Sequence, residues 1–107
     1  MTSEELIEKI QSSLGGDIQS AEVHLGDAVI FVSQENLHKV AQALKEDVDL
    51  RMEYLSDIRG VDYLDQDREP RFEAVYELHS FAHNHSVRIR VGLEEENPSV
   101  PTVSDLW

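Results

Sequence analysis

Three histidines fall within seven residues, at His79, His83 and His85. A His-x-His pair at a strand end puts both imidazoles on one side, and a nearby carboxylate would complete a zinc site. That would make the chain a small metal-binding protein built on the His79–His85 loop. The competing expectation is a flexible hairpin loop whose histidines are solvated. Asp65, Asp67 and Glu69 occupy the first, third and fifth places of a calcium loop. Its sixth place is Pro70 where glycine is required and its twelfth is Tyr76 instead of glutamate, so an EF-hand is excluded.

Other chemistry is thinly signalled. The glycines are isolated, without a phosphate-cradling loop, and carboxylates are plentiful only because the chain is acidic. No nucleophile stands in a recognisable elbow or beside a placed base, so no catalytic, cofactor-binding or metal-ligating residue is assigned. Charged side chains offer contacts instead. Arg88 and Arg90 share one face of a strand, where ion pairs with Glu73 and Glu77 of a neighbouring strand compete with reach to another protein's carboxylate. Asp57 and Asp62 flank Gly60, either turning the chain around a glycine or meeting a partner. All three Lys precede residue 46 and all six Arg follow residue 50.

Nine basic against 22 acidic residues give a net charge of −13, which repels nucleic-acid phosphates and anionic lipid headgroups. Without cysteine the chain has no disulfide, no thiolate nucleophile and no usual ligand for an iron–sulfur cluster. At 107 residues and 40% hydrophobic content it matches one domain with one core. The acidic start and the short longest apolar run, Ala28 to Val32, point away from a secretory signal or a membrane span and towards the cytoplasmic side.

The elements follow from periodicity. Thr2 and Glu5 have capping-box spacing ahead of Leu6, Ile7, Ile10 and Leu14, which predicts a helix closed by a left-handed glycine at Gly15-Gly16. Ile18 to Leu25 alternates as a strand with Ala21, Val23 and Leu25 inward, and Gly26-Asp27 turns into Ala28–Val32, a central strand apolar on both faces. Ser33 is the expected N-cap of a second helix carrying Leu37, Val40, Ala41 and Leu44 to about Asp47, with Glu35, Lys39, Gln42 and Lys45 outward. Met52, Leu55, Ile58 and Val61 recur at helical spacing, yet Gly60 and the β-branched residues favour a strand from about Asp57 to Tyr63. Phe72, Ala74, Tyr76 and Leu78, then Val87, Ile89 and Val91, alternate as an antiparallel hairpin. The sum is a two-layer α+β fold, α-β-β-α-β-β-β, with a mixed, largely antiparallel sheet and two helices on one face. A single domain is expected over 1–93 and an extended tail over 94–107.

Four blocks in order carry a further signal: Asp57-Ile-Arg-Gly-Val-Asp-Tyr63, Arg71-Phe-Glu-Ala-Val-Tyr-Glu-Leu78, Val87-Arg-Ile-Arg-Val91 and Val100-Pro-Thr-Val-Ser-Asp-Leu-Trp107. Together they resemble the 30 kDa subunit of NADH-quinone oxidoreductase, respiratory complex I. The resemblance implies a non-catalytic subunit of the peripheral arm of a proton-translocating enzyme, docked beside the quinone-reducing subunit on the cytoplasmic side of the inner membrane. FMN, iron–sulfur clusters and quinone would then lie in partner subunits. The equivalent subunit of a membrane-bound energy-converting hydrogenase is the alternative in the same family. Such subunits continue past the Leu-Trp pair into a W-x-E-R-E-x-x-D-M-like segment that this sequence lacks. Val100, Val103, Leu106 and Trp107 are accordingly expected to stand uncovered on the tail, leading into a missing C-terminal segment. With Asp57, Asp62, Arg88, Arg90 and Asp105 they form the expected partner interface.

Overall fold

The structure, a computed structural model, describes residues 2–62, 72–93, 103, 106 and 107, with the backbone alone at 61, 62 and 72. Helix α1, Ser3–Leu14, begins with a complete capping box. The Thr2 Oγ1 accepts from the Glu5 N–H at 3.2 Å, and the Glu5 carboxylate accepts from the Thr2 N–H at 3.0 Å. Its end departs from expectation. Gly15 is right-handed, with φ −53°, and the chain leaves through an Asp17 N–H bond to the Leu14 carbonyl. A Cβ at residue 15 would lie 2.5 Å from the Gln11 carbonyl oxygen, so glycine is needed there for space.

Strands β1, Ser20–His24, and β2, Asp27–Phe31, pair antiparallel around a two-residue turn. That turn is Leu25-Gly26, not Gly26-Asp27, and both residues are left-handed, with φ 50° and 87°. Positive φ at both positions matches the right-handed twist of a tight hairpin. It also ejects Leu25, which is 90% exposed and not on the inward face. Helix α2, Leu37–Glu46, starts later than Ser33 predicts, because residues 34–36 form a turn closed by the Asn36 N–H on the Ser33 carbonyl. Asn36 spends its side chain on the Asp17 carbonyl and makes no cap bond.

Strands β3, Tyr54–Asp62, β4, Phe72–Ser80, and β5, His85–Leu93, complete a five-stranded sheet in the order β1-β2-β5-β4-β3. Only β2 and β5 run parallel; the other pairs are antiparallel. The α+β class, element order and mixed sheet are thus as the sequence reads. Strand β2 is interior, as its two apolar faces require, although β5 holds the middle. Strand β3 begins three residues before Asp57 and shifts register between Leu55 and Asp57, where the Ser56 hydroxyl donates to the Glu77 carbonyl at 3.0 Å.

Buried residues of both helices, among them Leu6, Ile10, Val40 and Leu44, join Ile30, Tyr76, Leu78, Ile89 and Val91 from one sheet face in a single core. Val103 and Leu106 belong to it, and Trp107 packs against it. The expectation that these three stand uncovered is therefore corrected: the Trp107 Nε1–H donates to the Met52 carbonyl at 3.0 Å, and the Leu106 carbonyl accepts from the Lys45 ammonium. The rest of the tail, including Val100 and Asp105, lies outside the described residues.

Candidate functional site

The sheet face turned away from the core is built from the outward parity of the strands. The register sets Arg88 beside both Val29 and Glu77, and Val75 between Arg59 and Arg90. The Arg88 Nε donates to Glu77 at 2.7 Å, and the Arg90 Nε donates to Glu73 at 2.6 Å. Arg59 links Asp57 at 2.7 Å and Glu77 at 3.6 Å, and Arg88 reaches Asp27 at 3.8 Å. The Arg90 guanidinium also lies 4.9 Å from the centroid of the Phe31 ring.

Long guanidinium stems cover apolar surface while their heads stay paired. Val29 and Val75 are buried apart from the core cluster, with Arg88 beside the first and Arg59 and Arg90 beside the second. Glu73 is only 3% exposed. With Arg90 it lines a recess of about 470 Å³ that Phe31, Ser33, Glu35, Gly92 and Leu93 also border. The Arg88 guanidinium beside Glu77 holds that carboxyl below its ordinary range against the opposing effect of burial, with Arg59 adding to the effect. The Asp57 hydrogen bond, opposed by desolvation and aided by Glu77, raises the already high pKa of Arg59.

Of the expected contact residues, the structure links Asp57 and Arg88 through Arg59 and Glu77, and sets Arg90 on the same face in a pair with Glu73. Asp62 is seated at the end of β3 opposite Phe72, and nothing is described of its side chain. Val103 and Leu106 are elsewhere, in the core, and Trp107 packs against it.

The histidine turn differs from both expectations. His79 is in β4, with its Nδ1 2.6 Å from the Ser86 hydroxyl. His83 and His85 direct Nε2 to the carbonyls of Val48 and Leu50, at 2.9 and 2.7 Å, and their rings lie 5.6 Å apart. His85 is 6% exposed, so the expectation of solvated rings fails there. Among the described residues no three His, Asp or Glu converge as a metal site. Both imidazoles are tied instead to the loop between α2 and β3. The burial of His85 was available from parity, since 85, 87, 89 and 91 alternate on one face. No sequence signal marked Glu53, whose carboxylate accepts from the Phe81 and Ala82 N–H groups at 2.7 and 3.1 Å. That contact spans nearly thirty residues.

Fold and site together define a small α+β module with a set of arginine–carboxylate pairs on one face of its sheet. Residues 30–107 match the family described as the 30 Kd subunit of respiratory-chain NADH dehydrogenase, and the chain belongs to that family. It is 40% identical over 102 residues to the NADH-quinone oxidoreductase C subunit of Roseiflexus castenholzii, and 39% identical over 102 residues to that of Roseiflexus sp.; each match covers 95% of this chain and 58% of the relative. The corresponding C subunit of Hyphomonas neptunium is 31% identical over 103 residues, 96% of this chain and 50% of the relative. The chain thus spans between half and three-fifths of the length of these relatives.

Proposed function

We propose that this chain acts as a non-catalytic scaffold in the peripheral arm of a NADH-quinone oxidoreductase, docking beside the quinone-reducing subunit. Family membership over residues 30–107 carries the reading. The absence of cysteine accords with flavin, iron–sulfur clusters and quinone being held by partner subunits. In this reading the protein sits on the cytoplasmic side of the inner membrane through its partners; among the described residues no helix is long and apolar enough to cross a membrane. The charged sheet face and edge strand β3, with Asp57, Arg88 and Arg90, are the surfaces proposed for contact, because their pairs can be exchanged across an interface without burying an unpaired charge.

Precipitation of the native protein from detergent-solubilised membranes, followed by mass spectrometry, tests this. Companions bearing flavin, clusters and the quinone site are expected. Hydrogenase subunits in their place would move the protein to the sister complex, and a protein recovered alone would overturn the scaffold reading.

A further inference from the structure

The tip of the β4–β5 hairpin is fastened to the α2–β3 loop, residues 47–53, by more bonds than a surface turn needs. Two imidazoles donate to the carbonyls of Val48 and Leu50, two residues apart. Glu53 accepts from two successive N–H groups of the turn, and the Ser80 hydroxyl accepts from the His83 N–H. Both segments bend through left-handed residues to meet, Arg51 at φ 43° and Asn84 at φ 50°.

A carbonyl can only accept, so Nε2 of His85 carries the hydrogen and the neutral ring has a bare Nδ1. That Nδ1 is buried and has no hydrogen-bond partner. A proton added there would create a buried charge and a buried unpaired donor together. The surroundings offer little relief. His83 stacks on the ring, and charge on the α-amino group, His83 or His79 opposes a proton there. From α1 come the neutral Ser3 and Leu6, and Asp27, sharing the same recess, is engaged by Arg88. Within the loop, Asp49 is paired with Lys9 at 3.4 Å and Asp47 accepts from the Asp49 N–H.

We propose that this contact is an acid-sensitive latch with His85 as its sensor: protonation of the buried ring releases the hairpin tip from the α2–β3 loop while the sheet stays intact. Burial, the largest influence, lowers the pKa of His85 against the opposing pull of the Leu50 carbonyl. A released ring takes its proton near the ordinary 6.5 and the latched ring only at lower pH. The latch is therefore at full strength above about 6.5 and weakens as pH falls through the interval below it. Desolvation works against the charge of Glu53, but the N–H donors of Ala82 and Phe81 outweigh it and hold its carboxyl below the usual range. Glu53 thus stays ionised through that interval, so the group that titrates in the contact is His85, and the Glu53 bonds part only as the tip is released.

Hydrogen exchange of the 107-residue chain between pH 7.5 and 5, corrected for intrinsic rates, reads the latch directly. Protection over 47–53 and 80–86 is expected to fall by up to about tenfold for each pH unit within the interval, the limit for one proton. Val87–Val91 should keep its protection. His85→Gln retains a side-chain N–H for the Leu50 carbonyl without titrating, and should flatten the response; an unchanged response in that variant, or parallel loss across Val87–Val91, overturns the latch. Long-range proton–nitrogen spectra of the unmodified protein provide a check independent of any variant. They should show His85 as the Nε2–H tautomer at pH 7.5 with a midpoint below 6.5; the other tautomer, or a midpoint at or above 6.5, also overturns it.

Discussion

The two faces of the sheet are sealed by opposite means. Towards the helices, Ile30, Tyr76, Leu78, Ile89 and Val91 are covered by the apolar stripes of α1 and α2 and by Val103 and Leu106. On the far face, Val29 and Val75 are buried among charged neighbours that pair across the strands, Glu77 with Arg88 and Glu73 with Arg90. Dense apolar packing leaves no alternative arrangement. An ion-pair lattice can be re-paired, so the second face can meet a partner without unfolding the first.

The largest effect should come from the packed face. Ile89→Ala, at the centre of β5, is expected to destabilise the protein by about 2–5 kcal/mol, measured as a shift in urea midpoint at unchanged slope. On the charged face, Glu73→Ala is expected to cost less, on the order of 2 kcal/mol, because Arg90 remains partly exposed and can recover water. Glu73→Leu with Arg90→Met should restore most of that loss, since an apolar pair of similar volume commonly substitutes for a buried ion pair. If the double variant were as unstable as the single, the lattice would be a source of stability and the contrast between the faces would collapse.

Acid titration separates the same regions. With the Glu77 pKa depressed by Arg88, the unfolded chain takes its proton first, near 4.5, and the folded protein only at lower pH. Its contribution is present above about 4.5 and lost as pH falls below that value. Glu77→Gln should therefore reduce the pH dependence of the thermal midpoint in that range, leaving the share of Glu5 and Glu53, and should not alter the response below 6.5 expected of the His85 latch.

What was legible in the sequence divides along the same line. Parity and helical spacing revealed the helix-side core, and the capping box fixed the start of α1 to the residue, because these signals are local. Alternation also paired Arg88 and Arg90 with the right glutamates in kind. It did not reveal the burial of Glu73 and Val75, which alternation assigned to the outward side of β4 and which depends on what neighbouring strands bring over that face; the burial of Val29 did follow from a strand apolar on both faces. The fate of Val103, Leu106 and Trp107 was misread for a related reason. An apolar tail beyond the last strand looks uncovered until the space beside Met52, some fifty residues away, is known to receive it.

The smallest expected change in stability bears most on function. Asp57 lies on edge strand β3, about half exposed, and its bond to Arg59 is a surface pair. Exposed pairs contribute roughly 0.2–1 kcal/mol, so Asp57→Ala should move the thermal midpoint by no more than a few degrees. Arg59 keeps Glu77 as a second carboxylate and is not left alone. If β3 meets a neighbouring protein of the assembly, the same substitution should lower recovery of that protein on precipitation several-fold, because an interface loses specificity when a charge is removed from its rim. A variant that is stable and still recovers its companions in full would remove β3 from the proposed interface, leaving the Arg88 and Arg90 side of the sheet to be tested by the same pairing of measurements.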